Sequence, residues 1–132
     1  MPKTILIDGQ PMGWINSSIK NLDANTLITP YNSTVTIKHC EMYQQEDVIT
    51  IVCGVEVSSA ITSGNLVSIN SDYRPPVHDG VYYAVGPCSA RVTSLNVGVN
   101  HPANVWVVGG NVFVMCETAC KGFIFRLQYR KA

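Results

Sequence analysis

The chain has 132 residues and carries nine Lys and Arg against nine Asp and Glu, so its formal net charge at pH 7 is zero. A neutral balance gives no electrostatic footprint for nucleic acid or for an anionic membrane surface, and we expect neither as a partner. Only 14% of the residues are charged while 46% are hydrophobic, against about 25% charged residues in an average soluble domain. We therefore expect a chain that buries surplus apolar surface between subunits.

The first thirty residues open with a short β-like run in residues 3–8, and residues 16–25 have room for one helical turn at most. The uncharged run in residues 4–7 is too short for a signal-peptide core or a membrane span. We therefore expect a protein that is made in a cytoplasm and does not insert into a membrane. Its five cysteines, an odd number, are expected to be mostly reduced thiols.

From residue 33 the apolar pattern has a period of two. Val35, Ile37 and His39 alternate with polar residues, which predicts a half-buried strand with His39 on the inner face. Residues 41–47 are interpreted as a polar connection. Residues 48–57 are rich in β-branched side chains, which predicts a central strand with Cys53 in the core and close packing or a bulge at Gly54.

Residues 58–64 are predicted to form a turn and residues 65–70 the next strand. Tyr73-Arg74-Pro75-Pro76 then predicts a fixed corner, because two adjacent prolines lock the backbone and remove two hydrogen-bond donors.

Further short strands are expected after this corner. Asp79-Gly80 favours a hairpin turn, Gly86-Pro87 predicts a break between strands at 81–85 and 88–99, and His101-Pro102 predicts a turn. Strands at 103–108 and 112–116 flank the turn at Gly109-Gly110, and Phe123, Phe125, Leu127 and Tyr129 share one face of the last strand. Short strands without an amphipathic helix predict an all-β fold, an antiparallel jelly-roll-like sandwich or barrel.

An apolar strand, a Tyr-Arg-Pro-Pro corner, a further strand, a glycine-marked hairpin and a terminal aromatic strand occur in this order at residues 49–57, 64–76, 91–99, 104–114 and 122–129. The order resembles the distal head domain, or receptor-binding tip, of tailed-phage and prophage tail fibres. The resemblance implies a homotrimeric head at residues 31–132, an attachment or neck segment at residues 1–30, and a place in the tail or baseplate of a virion made in the host cytoplasm.

Catalytic motifs are missing from the sequence. There is no Gly-x-Ser-x-Gly elbow, phosphate-binding glycine loop or His-Glu-x-x-His motif, and the acidic residues are scattered. Cys116 and Cys120 have a spacing that can chelate a metal, but no second compact pair accompanies them. We therefore expect a protein that is not an enzyme and that holds no metal or other cofactor.

Recognition by surface loops is the favoured mechanism, because saccharides are commonly held by an aromatic ring and planar polar groups. The two segments richest in such groups, residues 72–80 and 96–106, give the candidate receptor contacts Tyr73, Arg74, His78, Asp79, His101, Asn104 and Trp106. The alternatives are that Tyr73 and Arg74 brace the corner and that Trp106, between Val105 and Val107, lies in the core.

Three functions are compatible with this pattern. The first is a tail-fibre head that attaches to a saccharide or protein on the host cell surface and contacts other virion tail proteins. The second is a structural virion component, such as a neck, baseplate or capsid decoration protein, that contacts only other virion proteins. The third is a cytoplasmic lectin-like module unrelated to phages.

Overall fold

The computed structural model describes residues 18–76, 84–96 and 98–132, together with the backbone of two short paired strands, β1 (Leu6–Ile7) and β2 (Gln10–Pro11). The remaining strands of this described part are β3 (Lys20–Leu22), β4 (Ile28–Pro30), β5 (Val35–Gln45), β6 (Val48–Ile69), β7 (Val85–Arg91), β8 (His101–Val108) and β9 (Asn111–Arg130). Its helices are α1 (Ala24–Leu27) and a 3-10 turn at Ser71–Tyr73. No described helix is long and apolar enough to span a lipid bilayer.

Strands β3 to β9 form one antiparallel sheet of seven strands that does not close on itself. The main order is β3-β5-β6-β9-β7-β8, with β4 paired to β6 and β8 paired a second time, to β9. The all-β, antiparallel prediction is confirmed, and the arrangement is compatible with a sandwich or an open barrel.

The two longest strands bend and give the sheet two layers. Residues 48–56 of β6 pair with residues 122–130 of β9, whereas residues 61–68 of β6 pair with residues 111–120. The pairing shifts register between Glu56 and Ile61, and bulges of this kind turn a strand from one layer into the next. We call β5, β7, residues 48–56 of β6 and residues 122–130 of β9 the first layer. We call β4, β8, residues 61–68 of β6 and residues 111–120 of β9 the second layer.

The turn predicted at residues 58–64 is wrong, because β6 continues through it. Ser58, Ser59 and Ala60 are exposed at the bend, where no layer covers them. These small side chains lie where the strand crosses the edge of the core. The polar connection predicted at residues 41–47 is also wrong over most of its length, since β5 runs to Gln45.

The core lies between the layers and contains the side chains predicted from the last strand. Phe123, Phe125 and Leu127 are at most 1% exposed, and Tyr129 is 5% exposed. Residues 49, 51, 53 and 55 of β6 are their partners in the β6–β9 ladder and are fully buried. Strand β6 pairs with β5 on one side and with β9 on the other. The prediction of a central strand with Cys53 in the core is confirmed.

A bulge in β5 reverses the alternation predicted for that strand. Ile37 pairs with Val55 and the next pair is His39 with Gly54, so Lys38 is the extra residue. Val35 and Ile37 face inward before the bulge, whereas Cys40 and Met42 face inward after it. The prediction of an inward His39 is therefore wrong: its side chain is exposed and lies over Gly54 on the outer face.

Two prolines predicted to interrupt strands lie inside them. Pro87 is part of β7 and Pro102 is part of β8. The β7–β9 pairing begins at Cys88 and the β8–β9 pairing begins at Ala103, so each proline has a strand partner on one side only. A proline lacks the N–H donor, and such one-sided positions tolerate its absence.

The segment around the proline corner leaves the sheet as predicted. Strand β6 ends at Ile69, and the 3-10 turn Ser71–Tyr73 is capped by the Asn70 side chain, which accepts a 2.9 Å hydrogen bond from the Asp72 N–H. The predicted Asp79-Gly80 hairpin lies outside the described residues. The same holds for residues 81–83 of the strand predicted at residues 81–85.

Residues 20–30, from the expected neck segment, pair with the same sheet. Strand β3 pairs with β5 and β4 pairs with β6, so both contact strands of residues 31–132 directly. Between them Asp23 caps α1 by accepting hydrogen bonds from the Asn25 N–H at 3.2 Å and the Thr26 hydroxyl at 2.5 Å. Ile28 is 2% exposed, which places β4 against the core.

Candidate functional site

Trp106 lies on the outer face of the second layer. Along β8 the side chains of Ala103, Val105 and Val107 are buried, and the alternating positions Asn104 and Trp106 point away from the core. Of the two positions considered for Trp106 from the sequence, the structure therefore gives the outer one. Its side chain is half-buried.

The strands on either side add apolar side chains to this surface. Trp106 is directly opposite Val85 of β7 and Phe113 of β9, and Asn104 is directly opposite Met115. Opposed residues of an antiparallel ladder share one face of the sheet. We call the five side chains of Val85, Asn104, Trp106, Phe113 and Met115 the Trp106 face.

Two shallow grooves run along the Trp106 face. One, of about 350 Å³, is lined by Trp106, Val108, Phe113 and Met115, and none of these residues is charged. The second, of about 430 Å³, shares Trp106 and Met115 and extends past Asn104 to Glu117. An aromatic ring that offers its π face beside an amide and a carboxylate can stack on the C–H face of a sugar ring and hydrogen-bond its hydroxyls.

Val85 and Met115 are the most exposed members of this face, at 57% and 51%. Both are large apolar residues placed beside aromatic rings on a regular sheet. Contiguous apolar surface of this kind is typical of contact sites for other molecules. The alternation along β8 was sufficient to place Asn104 and Trp106 on one face, but Phe113 and Met115 join them only through the strand register.

Tyr73 and Arg74 brace the proline corner. The Arg74 Nε–H donates a 2.7 Å hydrogen bond to the Ile69 carbonyl oxygen, and its guanidinium covers Gly110 in the β8–β9 turn. The Tyr73 carbonyl oxygen accepts a hydrogen bond from the Tyr129 hydroxyl, and Lys131 Nζ lies 5.0 Å from the centre of the Tyr73 ring. The structure therefore gives these two residues the bracing contacts that were considered for them.

The remaining sequence candidates are not assembled with the Trp106 face. His101 is at the start of β8, where it pairs with Ala90, and its position in the alternation is that of the buried residues rather than that of Trp106. His78 and Asp79 lie outside the described residues. Of the seven candidates, the structure brings Asn104 and Trp106 together and places Tyr73 and Arg74 at the corner.

A further groove, of about 440 Å³, lies away from the Trp106 face, on the outer face of the first layer. Three cross-strand rows of β5, β6 and β9 form its floor, and we call it the Tyr43 groove. Its lining residues are Ile19, Glu41, Tyr43, Gln45, Val48, Thr50, Val52, Arg126 and Gln128.

Hydrogen bonds order part of the Tyr43 groove. The Tyr43 hydroxyl donates to the Glu41 carboxylate, and this bond raises the pKa of Tyr43. Gln128 donates a 3.2 Å hydrogen bond to the Thr50 hydroxyl. Sequence reasoning missed this groove because residues 41–45 were interpreted as a connection, although the polar alternation of Arg126 and Gln128 on the last strand was a signal for it.

The cysteines lie in two groups. Cys40 of β5 is directly opposite Cys53 of β6. The Cys116 thiol donates a 3.5 Å hydrogen bond to the Ile61 carbonyl oxygen, and burial raises the pKa of Cys116 and raises that of the nearby Cys88 to about 12. All five are free thiols, and no group of three or more His, Cys, Asp or Glu in the described ranges is arranged to hold a metal ion.

The carboxylates of Glu56 and Asp47 have partners. Glu56 accepts a 3.1 Å hydrogen bond from the Leu95 N–H and lies 3.8 Å from Lys38 Nζ. Asp47 pairs with Arg130 at 3.2 Å at the exposed end of the sheet. These contacts hold loops and strand ends in place.

Comparisons with protein-family models, with curated proteins and with solved structures find no match for this chain.

Proposed function

We propose that this chain is the distal head domain of a phage or prophage tail fibre, which attaches without catalysis to a saccharide or a protein on the host cell surface. The proposal places the domain in the virion as a homotrimer joined to other tail proteins. The observation that carries the binding assignment is the Trp106 face, where an outward tryptophan lies beside a second aromatic ring and the Asn104 amide. The tail-fibre class itself is supported by the resemblance of strand order and corner.

The Trp106 face suits attachment because its side chains are carried by paired strands. Strand β8 is bonded to β7 on one side and to β9 on the other, so Trp106 is held by a ladder instead of a free loop. A pre-organised aromatic loses little conformational entropy on binding. Trp is also among the residues whose truncation costs the most binding free energy.

A second candidate function is a structural virion component whose Trp106 face contacts another virion protein. The observation that favours it is the uncharged groove lined by Trp106, Val108, Phe113 and Met115. The centres of protein–protein interfaces are enriched in aromatic residues and Met and depleted of charged residues. The two functions differ in what covers the same face, so they are separated by experiment.

The first test is the solution mass by light scattering at high and low concentration. One chain has a mass of 14.4 kDa, so a homotrimer has about three times that mass. A trimer that persists on dilution supports the fibre-head proposal. A clean monomer at both concentrations contradicts it.

The second test measures binding to host cells and to an array of host-surface glycans with Trp106→Ala and Asn104→Ala. We expect Trp106→Ala to weaken binding by about 30-fold or more, the loss typical of a binding hot spot. Gln128→Ala is the matched control, since Gln128 is also an exposed sheet residue but lies in the Tyr43 groove. Unchanged binding by Trp106→Ala contradicts the assignment of the Trp106 face.

Binding assays with the wild-type chain and Trp106→Ala distinguish the two candidate functions. If the Trp106 face binds a host receptor, the variant keeps the mass of the wild-type chain and loses binding. If the face is covered by a neighbouring virion protein, isolated wild-type protein shows no binding to host cells, and a pull-down with the other tail proteins loses its partner in the Trp106→Ala variant.

A further inference from the structure

The bulge at Lys38 places Cys40 on the inner face of β5. Before the bulge the inward residues are Val35 and Ile37, so an unbroken alternation would continue to residue 39 and leave Cys40 outside. The extra residue advances the alternation by one position. Cys40 consequently lies opposite Cys53, whose side chain is fully buried.

The two cysteines meet the geometric requirement for a disulfide. Directly opposed residues of an antiparallel pair have Cα atoms about 4.5 to 5.5 Å apart, and disulfides join Cα atoms about 4.4 to 6.8 Å apart. Both side chains lie on the inner face of the sheet, Cys53 in the core and Cys40 packed against it. No rearrangement of the β5–β6 ladder is therefore required to bring the sulfur atoms together.

The two thiols differ in access and in reactivity. Cys53 is 0% exposed, whereas Cys40 is half-buried and open on one side to solvent. The hydrogen bond from Cys53 lowers the pKa of the Cys40 thiol, against the opposing effects of burial and of Glu41. The same hydrogen bond and burial raise the pKa of Cys53. Cys40 is thus the thiol that can form a thiolate and meet an oxidant first.

We propose that Cys40 and Cys53 are a redox pair that closes a cross-strand disulfide when the folded chain meets a small-molecule disulfide. The Cys40 thiolate attacks one sulfur of the oxidant R–S–S–R, which forms a Cys40–S–S–R bond and releases one R–S⁻. The Cys53 sulfur, on loss of its proton, then attacks the Cys40 sulfur and releases the second R–S⁻. Two thiols of the chain are oxidised and one molecule of R–S–S–R is reduced to two R–SH.

The other three cysteines provide an internal comparison. Cys116 and Cys120 lie four residues apart on the same strand, on either side of the β9 bend, and neither is a ladder partner of the other. Cys88 is directly opposite Ala103 on β8 and Phe125 on β9. Among the described residues, Cys40 and Cys53 are therefore the one pair of cysteines that lie directly opposite each other on neighbouring strands.

The experiment oxidises the folded wild-type chain with oxidised glutathione, blocks the remaining thiols in denaturant and measures the intact mass. Closure of one disulfide removes two hydrogens, about 2 Da, and protects two of the five cysteines. Digestion with trypsin and a glutamate-specific protease separates residues 39–41, which contain Cys40, from residues 47–56, which contain Cys53. We expect these two peptides to be linked, and to separate after reduction.

Two variants make the assignment specific. In Cys53→Ala, Cys40 has no resolving thiol, so we expect the oxidised protein to retain one glutathione on Cys40. In Cys40→Ser, the oxidant has no accessible entry point and we expect Cys53 to stay free.

Three results with the wild-type chain would overturn the proposal. Free thiols at Cys40 and Cys53 after oxidation would show that the pair does not react. Glutathione retained on Cys40 would show that the two sulfur atoms do not reach each other. Links confined to Cys88, Cys116 and Cys120 would assign the reactive pair to the other group.

Discussion

Gly86 is a position where β7 passes β9 without room for a side chain. A Cβ atom added there would lie 2.2 Å from the Arg126 carbonyl oxygen and 3.0 Å from Leu127 Cδ2. The carbonyl oxygen belongs to a backbone that is fixed by pairing with β6. To accept alanine, β7 must move away from β9 by on the order of an ångström, which strains the adjacent pairs that start at Cys88.

Gly54 offers a matched comparison, because a Cβ atom added there would lie 2.3 Å from His39 Nε2. The overlap is of similar size, but here the neighbour is the end of an exposed side chain. The His39 ring can turn into solvent at the cost of a changed rotamer. The same substitution thus meets a fixed backbone at one site and a movable side chain at the other.

We expect Gly86→Ala to lower the free energy of unfolding by about 3 kcal/mol, the upper end of the range for overpacking. We expect Gly54→Ala to lower it by less than about 1 kcal/mol, the cost of one displaced rotamer. Urea unfolding followed by tryptophan fluorescence and circular dichroism measures both. Because domains of this kind are stabilised by about 5–15 kcal/mol, both variants remain folded enough to compare.

The double variant His39→Ala with Gly54→Ala completes the test. Removal of the ring should abolish the penalty at Gly54, so alanine at that position costs nothing in the His39→Ala background. Equal losses for Gly86→Ala and Gly54→Ala, or a loss at Gly54 that persists without His39, would refute the reasoning.

Three further predictions concern the core and its edge. Phe125→Ala should lower the free energy of unfolding by about 3–5 kcal/mol, because the ring is 1% exposed between the layers; urea unfolding measures the loss. Tyr129→Phe should cost about 1 kcal/mol through loss of the hydrogen bond to the Tyr73 carbonyl oxygen, and a neutral result would contradict that bond. Burial raises the pKa of Cys88 from about 9 to about 12, so the unfolded chain loses this proton first and stability should fall from pH 9 towards pH 12; the fall should be smaller in Cys88→Ala.

The elements that local patterns define were predictable from the sequence. Phe123, Phe125, Leu127 and Tyr129 alternate without interruption, and the run from Val48 to Val57 is too rich in β-branched residues for any other element. The corner at Pro75-Pro76 followed from backbone chemistry alone. In each case the neighbouring residues suffice to fix the structure.

The errors occur where a distant strand decides the local structure. Residues 58–64 have the composition of a turn but belong to β6, in which Ile61, Ser63 and Gly64 pair with residues 114–120 of β9. A proline breaks a strand only where that strand is paired on both sides. Pro87 and Pro102 each have a partner strand on one side, and the sheet order decides which side that is. The bulge at Lys38 carries no composition signal, yet it reverses the direction of His39 and Cys40.

The candidate site was predictable to the same extent. Alternation along β8 places Asn104 and Trp106 on one face, since the positions between them are buried. Phe113 and Met115 are separated from them by the β8–β9 turn, and only the register shows which side chains become neighbours. The Tyr43 groove combines the consecutive strands β5 and β6 with the distant strand β9, so its assembly depends on the sheet order.

Substitutions on the proposed Trp106 face are easier to interpret than substitutions at the corner, because the corner side chains hold other parts of the chain. Arg74 is committed to the Ile69 carbonyl oxygen and to the β8–β9 turn, so its replacement removes a part-buried charged hydrogen bond worth about 1.5–3 kcal/mol. The hydrogen bonds given for the described residues include none from the Trp106 side chain, which is half-buried on the outer face. A loss of binding in Trp106→Ala can therefore be assigned to the missing ring, whereas a loss in Arg74→Ala would mix binding with stability.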